Sequence, residues 1–269
     1  MANATVYKKK KTSLFKSDGW KRFRKNKLAV IGLCVILFMV LAAIFAPVLV
    51  QNDPYMILET PEGKVMKDMS PSASGTILGT DNVGRDELSR LIYGARVSMS
   101  VGIVSVGISL VVGVLLGAVS GYFGGWLDSV IMRIVDMFMA VPAILLSMAV
   151  VAALGNGTDK LLIALSIAQT PRFTRVVRSS IMTLRNQEFV EAAKCCGTSS
   201  ARIIFKHILP NGMGPVIVSA TLTLGQVILN IASLGFLGIG AQTELVPQPA
   251  SSVLPGAPSP SVDRGALLL

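Results

Sequence analysis

The chain has 269 residues, 52% hydrophobic and 15% charged, with a mean hydropathy of +0.63. A water-soluble domain carries charge at roughly a quarter of its positions, so the composition excludes an ordinary soluble enzyme and points to a chain embedded in a bilayer. The net charge of +10 would suit a nucleic-acid binder only if it were gathered on one surface. Instead, ten of the 25 Lys and Arg residues precede Leu28, seven lie between Arg172 and Lys206, and residues 51–96 hold five bases against seven acids. Bases concentrated in alternate loops mark membrane topology, because positive loops stay in the cytoplasm.

The predicted fold is all-α, a polytopic membrane bundle of about five spans. Residues 1–27 form a basic cytoplasmic segment. Residues 28–50 carry no charge and meet the requirement of about 20 apolar residues for a first span. This run starts too late and is too long for a cleavable signal peptide. Residues 51–96, rich in Pro, Gly, Ser and Asp, are expected outside. A second span starts at Val97, with Gly102, Gly107, Gly113 and Gly117 suited to close helix contact. A short cytoplasmic turn over 123–133 leads to a third span over 134–154. Asp136 at its start requires a partner or an interfacial position, and Pro142 predicts a kink or a lost hydrogen bond. A fourth span covers about 160–177, with Pro171 inside it. Arg172, Arg175 and Arg178 mark its cytoplasmic end as topology signals, with ion pairing or anionic-lipid contact as the alternative role. A fifth span runs over about 212–239.

Between the last two spans lies EFVEAAKCCGTSSARIIFKHILPN, with the make-up of two short amphipathic helices. Asn186 is positioned to cap the first, and Glu188 complements its dipole. Phe189, Ala192, Ala193 and Cys196 recur at helical spacing. Gly197 is placed to end the helix in the left-handed conformation. Thr198, Ser199 or Ser200 can cap the second helix, Ile203, Ile204 and Ile208 form its apolar stripe, and Pro210 is expected to end it. One face suits the membrane helices and the other a groove on a cytoplasmic partner. Spacing alone leaves this docking role and a purely internal packing role open. Cys34, Cys195 and Cys196 lack metal-ligand spacing, and His207 is the only histidine, so no metal or cofactor is expected. The chain has no phosphate-binding G-x-x-x-x-G-K-[ST] loop and no nucleophile–base constellation.

Glu191-Ala192-Ala193, followed by Gly197 and then Ile208-Leu209-Pro210, resembles the EAA loop of ABC importer permeases. The form HILPN is similar to the dipeptide, oligopeptide and nickel subfamily. LGTDNVGRDELSRLIYGAR, residues 78–96, resembles that subfamily's external signature, carried by Gly79, Thr80, Asp81, Gly84, Arg85, Asp86, Arg90, Gly94 and Arg96. RIVDMFMAVPA, residues 133–143, is also similar. The likeness covers about 28–242 and departs from the family at Thr170, where many relatives carry tryptophan.

The resemblance implies a permease subunit of the bacterial inner membrane, with a transmembrane core over 97–242 and a coupling hairpin over 186–210. It implies a second homologous permease, two cytoplasmic ATPase subunits that bind the hairpins, and an external substrate-binding protein. It implies no enzymatic activity in this chain. The family has six spans, whereas residues 243–269 read as a proline-rich coil, which leaves open a truncated or altered permease. A non-transporting membrane scaffold and a self-sufficient secondary transporter are the other readings. The latter usually shows internal repeats, which the sequence does not.

Overall fold

The computed structural model describes residues 25–50, 52–59, 63–71, 76–155 and 157–239. The basic segment before residue 25 and the proline-rich tail over 243–269 lie outside the described residues. Two isolated bridges, Glu59 with Val65 and Thr80 with Asp86, are the only β pairing among the described residues.

Helix α1 (Lys27–Ile44) opens at Asn26, whose side chain accepts the Ala29 amide. Its apolar side chains, including Leu28 and Phe38, are exposed along its length, as suits a helix surrounded by hydrocarbon. The expected 28–50 span breaks at Phe45 into α1 and one further turn, α2 (Ala46–Leu49), with Pro47 in the first turn of α2.

The next helix, α3 (Glu87–Phe123), begins at Glu87 and not at the expected 97, so Arg90, Gly94 and Arg96 are helical rather than part of an external loop. Asp86 sets this start. Its backbone is extended, and its carboxylate accepts the Leu88 amide at 3.2 Å and the Ser89 hydroxyl at 2.5 Å, the arrangement of an N-cap.

The expected third span is two helices. Helix α4 (Gly125–Met139) absorbs most of the expected 123–133 turn, and α5 (Ala143–Leu154) leaves it at 89°. Pro142 lies at the corner with φ −53° and ψ 134°, outside helical geometry, so the result is a sharp bend rather than a kink. Helix α6 (Thr158–Leu184) continues past the expected end near Val177.

The hairpin consists of α7 (Glu188–Cys195) and α8 (Ser200–Arg202), followed by a π-helical segment, Ile203–Ile208, that runs directly into α9 (Leu209–Phe236). Pro210 therefore does not end a helix, contrary to expectation. It sits in the first turn of α9, where a missing amide hydrogen costs least. The wider π turn just before it lets the Leu209 amide reach the Ile204 carbonyl.

Helix α6 is the hub, packed on α3 along most of its length and also on α9, α5 and α4. The buried face of α3 repeats every fourth residue through Val97, Val101, Ser105, Ser109, Gly113, Gly117 and Gly121. Helix α6 answers with Leu161, Leu165, Gln169, Phe173, Val177 and Ile181. Such rows are the ridges that interdigitate between helices. Side chains shrink along the α3 row, so the backbones converge. A Cβ at Gly113 would lie 2.5 Å from Phe173 Cβ, one at Gly117 2.6 Å from the Thr174 carbonyl oxygen, and one at Gly121 2.9 Å from the Arg178 carbonyl oxygen. Between the valines and glycines, Ser109 Oγ donates to the Ser166 carbonyl at 3.0 Å and Ser166 Oγ to the Ser105 carbonyl at 3.3 Å. Of the four glycines expected in close contact, Gly113 and Gly117 are at this crossing. A Cβ at Gly102 would make only ordinary contact with Leu224 of α9, at 3.4 Å, and Gly107 faces open space.

By length and apolarity, α1, α3 and the continuous helix Ser200–Phe236 can cross a membrane, and the bent α4–α5 pair is a fourth candidate. Helix α6 is long enough but too polar to qualify by composition. Much of its surface rests on other helices, where lipid compatibility is not required.

The polar segment before α3 is organised by Asp81. Its Oδ1 accepts the Val83 and Arg85 amides at 2.9 and 2.8 Å, and its Oδ2 accepts Arg85 Nε at 3.0 Å and the Arg90 guanidinium. Thr80 Oγ1 accepts the Met69 amide at 3.1 Å and donates to the Met66 carbonyl. Gly79, with φ +93°, lies so close to the Met69 carbonyl that a Cβ would approach it to 2.2 Å. Burial raises the Asp81 pKa, but the backbone hydrogen bonds and Arg85 outweigh it, and the carboxyl titrates below the usual aspartate range.

Two outcomes follow from this packing. Gly117→Ala should lower stability by about 1–3 kcal/mol through overpacking, whereas Gly107→Ala should not; thermal unfolding of the two variants in detergent measures the difference. The depressed Asp81 pKa stabilises the segment above the unfolded-state value of about 3.9, and this contribution disappears as pH falls through the folded-state value. Proteolysis within residues 52–86 should therefore accelerate for Asp81→Asn at neutral pH and for wild type only on acidification below about pH 4.

Candidate functional site

The hairpin presents two unlike faces. Inward, Val190, Ile203, Ile204 and Ile208 are buried against Ala118 of α3, Val177 and Ile181 of α6, and Val216 of α9. The inward residue of α7 is Val190, which is not part of the expected stripe of Phe189, Ala192, Ala193 and Cys196. Ala193 packs at the edge of the cluster, while Ala192 and Cys196 are exposed. Lys194 Nζ lies 6.0 Å from the centre of the Tyr122 ring, a further tie to α3.

Outward, Glu188, Glu191, Ala192 and Pro210 are exposed, with Leu209 half-buried behind them. Phe189 and Phe205 are 37% and 53% exposed on the same unit. Two acids in the first turn of an eight-residue helix and two phenyl rings of the hairpin are thus left accessible among the described residues.

The connection between the helices is set by Gly197. Its φ is +71°. The Thr198 amide donates to the Ala193 carbonyl at 3.1 Å and the Gly197 amide to the Lys194 carbonyl at 2.9 Å, the pair of bonds of a Schellman ending. The expected side-chain caps are absent: Gln187 precedes α7 where Asn186 was expected, and Ser199 precedes α8, neither with a capping side-chain bond.

The arginines of α6 are more than topology signals. Arg178 forms a two-pronged pair with Asp128 of α4, Nε to Oδ1 at 2.5 Å and the second guanidinium nitrogen to Oδ2 at 2.6 Å. The Ser120 hydroxyl of α3 also donates to this carboxylate. Arg185 donates to the Gly121 carbonyl at 3.1 Å. Arg175 pairs with Asp136 at 2.6 Å, which supplies the partner that Asp136 requires. Arg172 donates to the Gln226 side-chain carbonyl of α9. Next to these pairs, a cavity of about 540 Å³ opens between the end of α4, the second half of α6 and the start of α9. The sequence reading missed Val190, the Asp128–Arg178 pair and this cavity. The only sequence signal for the pair was the presence of acids in α4 and arginines in α6, with no indication of register.

Comparison with known proteins accords with this geometry. The family of binding-protein-dependent transport system inner membrane components matches residues 113–249, and the N-terminal TM domain of oligopeptide transport permease C matches residues 13–66. The chain is 46% identical to the dipeptide transport system permease protein DppC of Alkalihalophilus pseudofirmus, over 85% of this chain and 73% of that protein. It is 41% identical to the di/tripeptide permease protein DppC of Pseudomonas aeruginosa (83% and 74% covered) and 37% identical to the oligopeptide permease protein OppC of Bacillus subtilis (93% and 78%). Its fold is similar to that of a chain in the inward-facing MetNI methionine ABC transporter, with TM-score 0.51 and 22% identity over 57% of this chain and 77% of that one. The chain belongs to the family of binding-protein-dependent transport system inner membrane components, and is a multi-pass permease of the ABC-transporter type.

Proposed function

We propose that this chain forms, with a second homologous permease, the membrane pathway of an ATP-driven importer of dipeptides or oligopeptides, and that its hairpin is where separate cytoplasmic ATPase subunits dock. The observation that carries this reading is the division of the hairpin: one face is sealed into the α3–α6–α9 core by Val190, Ile203, Ile204 and Ile208, while the acidic and aromatic face stays free. A helix presented in this way fits a groove on a partner. The names of the relatives support peptides as the cargo class.

In this reading, Glu188, Glu191, Ala192, Phe189 and Pro210 contact the ATPase, Ala193, Ile208 and Leu209 seat the hairpin, and Gly197 sets the angle between its arms. The N-terminus is cytoplasmic, and residues 51–86 face the external binding protein. Helix α6 crosses the membrane inside the bundle. Nucleotide closure of the ATPases then shifts the permease between states through contacts that differ between those states. The scaffold reading predicts no peptide-dependent ATP hydrolysis. Co-purification of the ATPases and peptide-stimulated hydrolysis in lipid therefore separate the two.

Gly197→Val should cost at least about 1–2 kcal/mol, because a side chain must occupy the left-handed region. Glu191→Arg should cancel the charge of Glu188 on the docking face and weaken ATPase co-purification about tenfold. Both variants should still insert. Equal ATPase binding and peptide uptake in wild type and both variants would refute the coupling role. For topology, cysteines introduced at Lys67 and at Ser200 in a cysteine-free background should react with a membrane-impermeant reagent from opposite sides of the membrane, Lys67 from outside. Reaction of both from one side would overturn the proposed orientation.

A further inference from the structure

The cavity between α4, α6 and α9 has a chemistry that the coupling role does not use. Two cations, Arg172 and Arg175, stand one helical turn apart on its α6 wall, with Ser179 and Thr183 further along the same helix. Met139 and Pro215 supply apolar wall from α4 and α9. The two arginines differ in charge balance. Arg175 is neutralised by Asp136, whereas Arg172 is bonded only to the neutral Gln226 side chain, and no carboxylate pairs with it among the described residues.

Depth makes this distinction matter. In the proposed arrangement, with α6 crossing the membrane, Arg172 lies roughly 21 Å along it from Thr158 at about 1.5 Å per residue, less than the hydrocarbon thickness of about 30 Å. A guanidinium at that depth does not face lipid without several kcal/mol of cost, and such residues line bundle interiors or water-filled cavities on transport routes. An unbalanced cation in a largely apolar cavity calls for an anion that carries an apolar group.

We propose that Arg172 receives the C-terminal carboxylate of the transported peptide on the cytoplasmic half of its route, displacing Gln226 as it does so. The Arg175–Asp136 pair keeps the second guanidinium from holding the same anion too tightly for release. Ser179 and Thr183 continue a polar track along α6 towards the cytoplasm. The planar two-pronged match of guanidinium to carboxylate is the basis of recognition. This inference rests on the reading of the chain as a peptide permease whose α6 crosses the membrane.

The test uses the complete importer in proteoliposomes, with binding protein at saturation, and compares uptake of dialanine with uptake of its C-terminal amide. Arg172→Gln should slow dialanine uptake about tenfold, the loss of one charge-assisted hydrogen-bond pair, and leave amide uptake at the wild-type rate. Arg172→Lys should recover part of the dialanine rate. Dialanine affinity of the isolated binding protein places any preference for the carboxylate at that earlier step. The proposal is overturned by an equal loss for peptide and amide, by no loss for either, or by a loss seen only in vesicles containing phosphatidylglycerol, which would make the cavity a lipid headgroup site. Absence of any uptake by wild type would instead sink the importer reading itself.

Discussion

The close crossing of α3 over α6 is the constraint on which the rest of the structure depends. Four-residue spacing aligns a row of shrinking side chains on α3 with a row of large ones on α6, and the glycines let the two backbones approach to a distance that even one methyl group would prevent. In a bilayer there is little hydrophobic drive between helices, so intimate van der Waals contact and buried hydrogen bonds hold them together. The serine pair supplies such bonds in mid-crossing. Because α6 meets protein on so many sides, it can carry polar residues that a lipid-facing helix could not.

The hairpin inherits its position from that crossing. Val177 and Ile181 on α6 and Ala118 on α3 form the floor on which Val190 and the isoleucines of the π segment rest. Ion pairs brace the same end: Arg178 joins α6 to α4 through Asp128, and Arg185 caps the α3 backbone at Gly121. A partially exposed salt bridge by itself contributes little, but this one is two-pronged and shared with Ser120. A force applied to the outer face of α7 therefore enters a braced unit whose second arm is continuous with α9 from Ser200 onward.

Much of this was legible in the sequence. The first apolar run, the break at Pro142, the left-handed Gly197 and the apolar stripe at Ile203, Ile204 and Ile208 each rest on a local rule that the fold obeys. The failures share a cause: tertiary contact overrides a local signal. Pro210 reads as a stop but sits at the start of a helix turn prepared by the π segment. For the arginines of α6, local signals favour a topology role over ion pairing, yet they are bonded to Asp128, Asp136 and Gln226 in other helices, and the helix continues past them. The true row of contacts on α3 includes Gly121 and two serines, whereas Gly107 lies off it, because a four-residue register cannot be read until the partner helix is known.

The central claim is that the hairpin and the α3–α6 pair move as one body when nucleotide acts on the transporter. A direct measurement is the distance between spin labels on Cys195, at the end of α7, and on an introduced cysteine at Val104, on the exposed side of α3, with Cys34 and Cys196 replaced by serine. In the assembled transporter this distance should stay the same with and without ATP, while distances from Cys195 to the second permease change. A shift of several ångströms within this chain on ATP binding would show that the hairpin swings independently, contradicting the account.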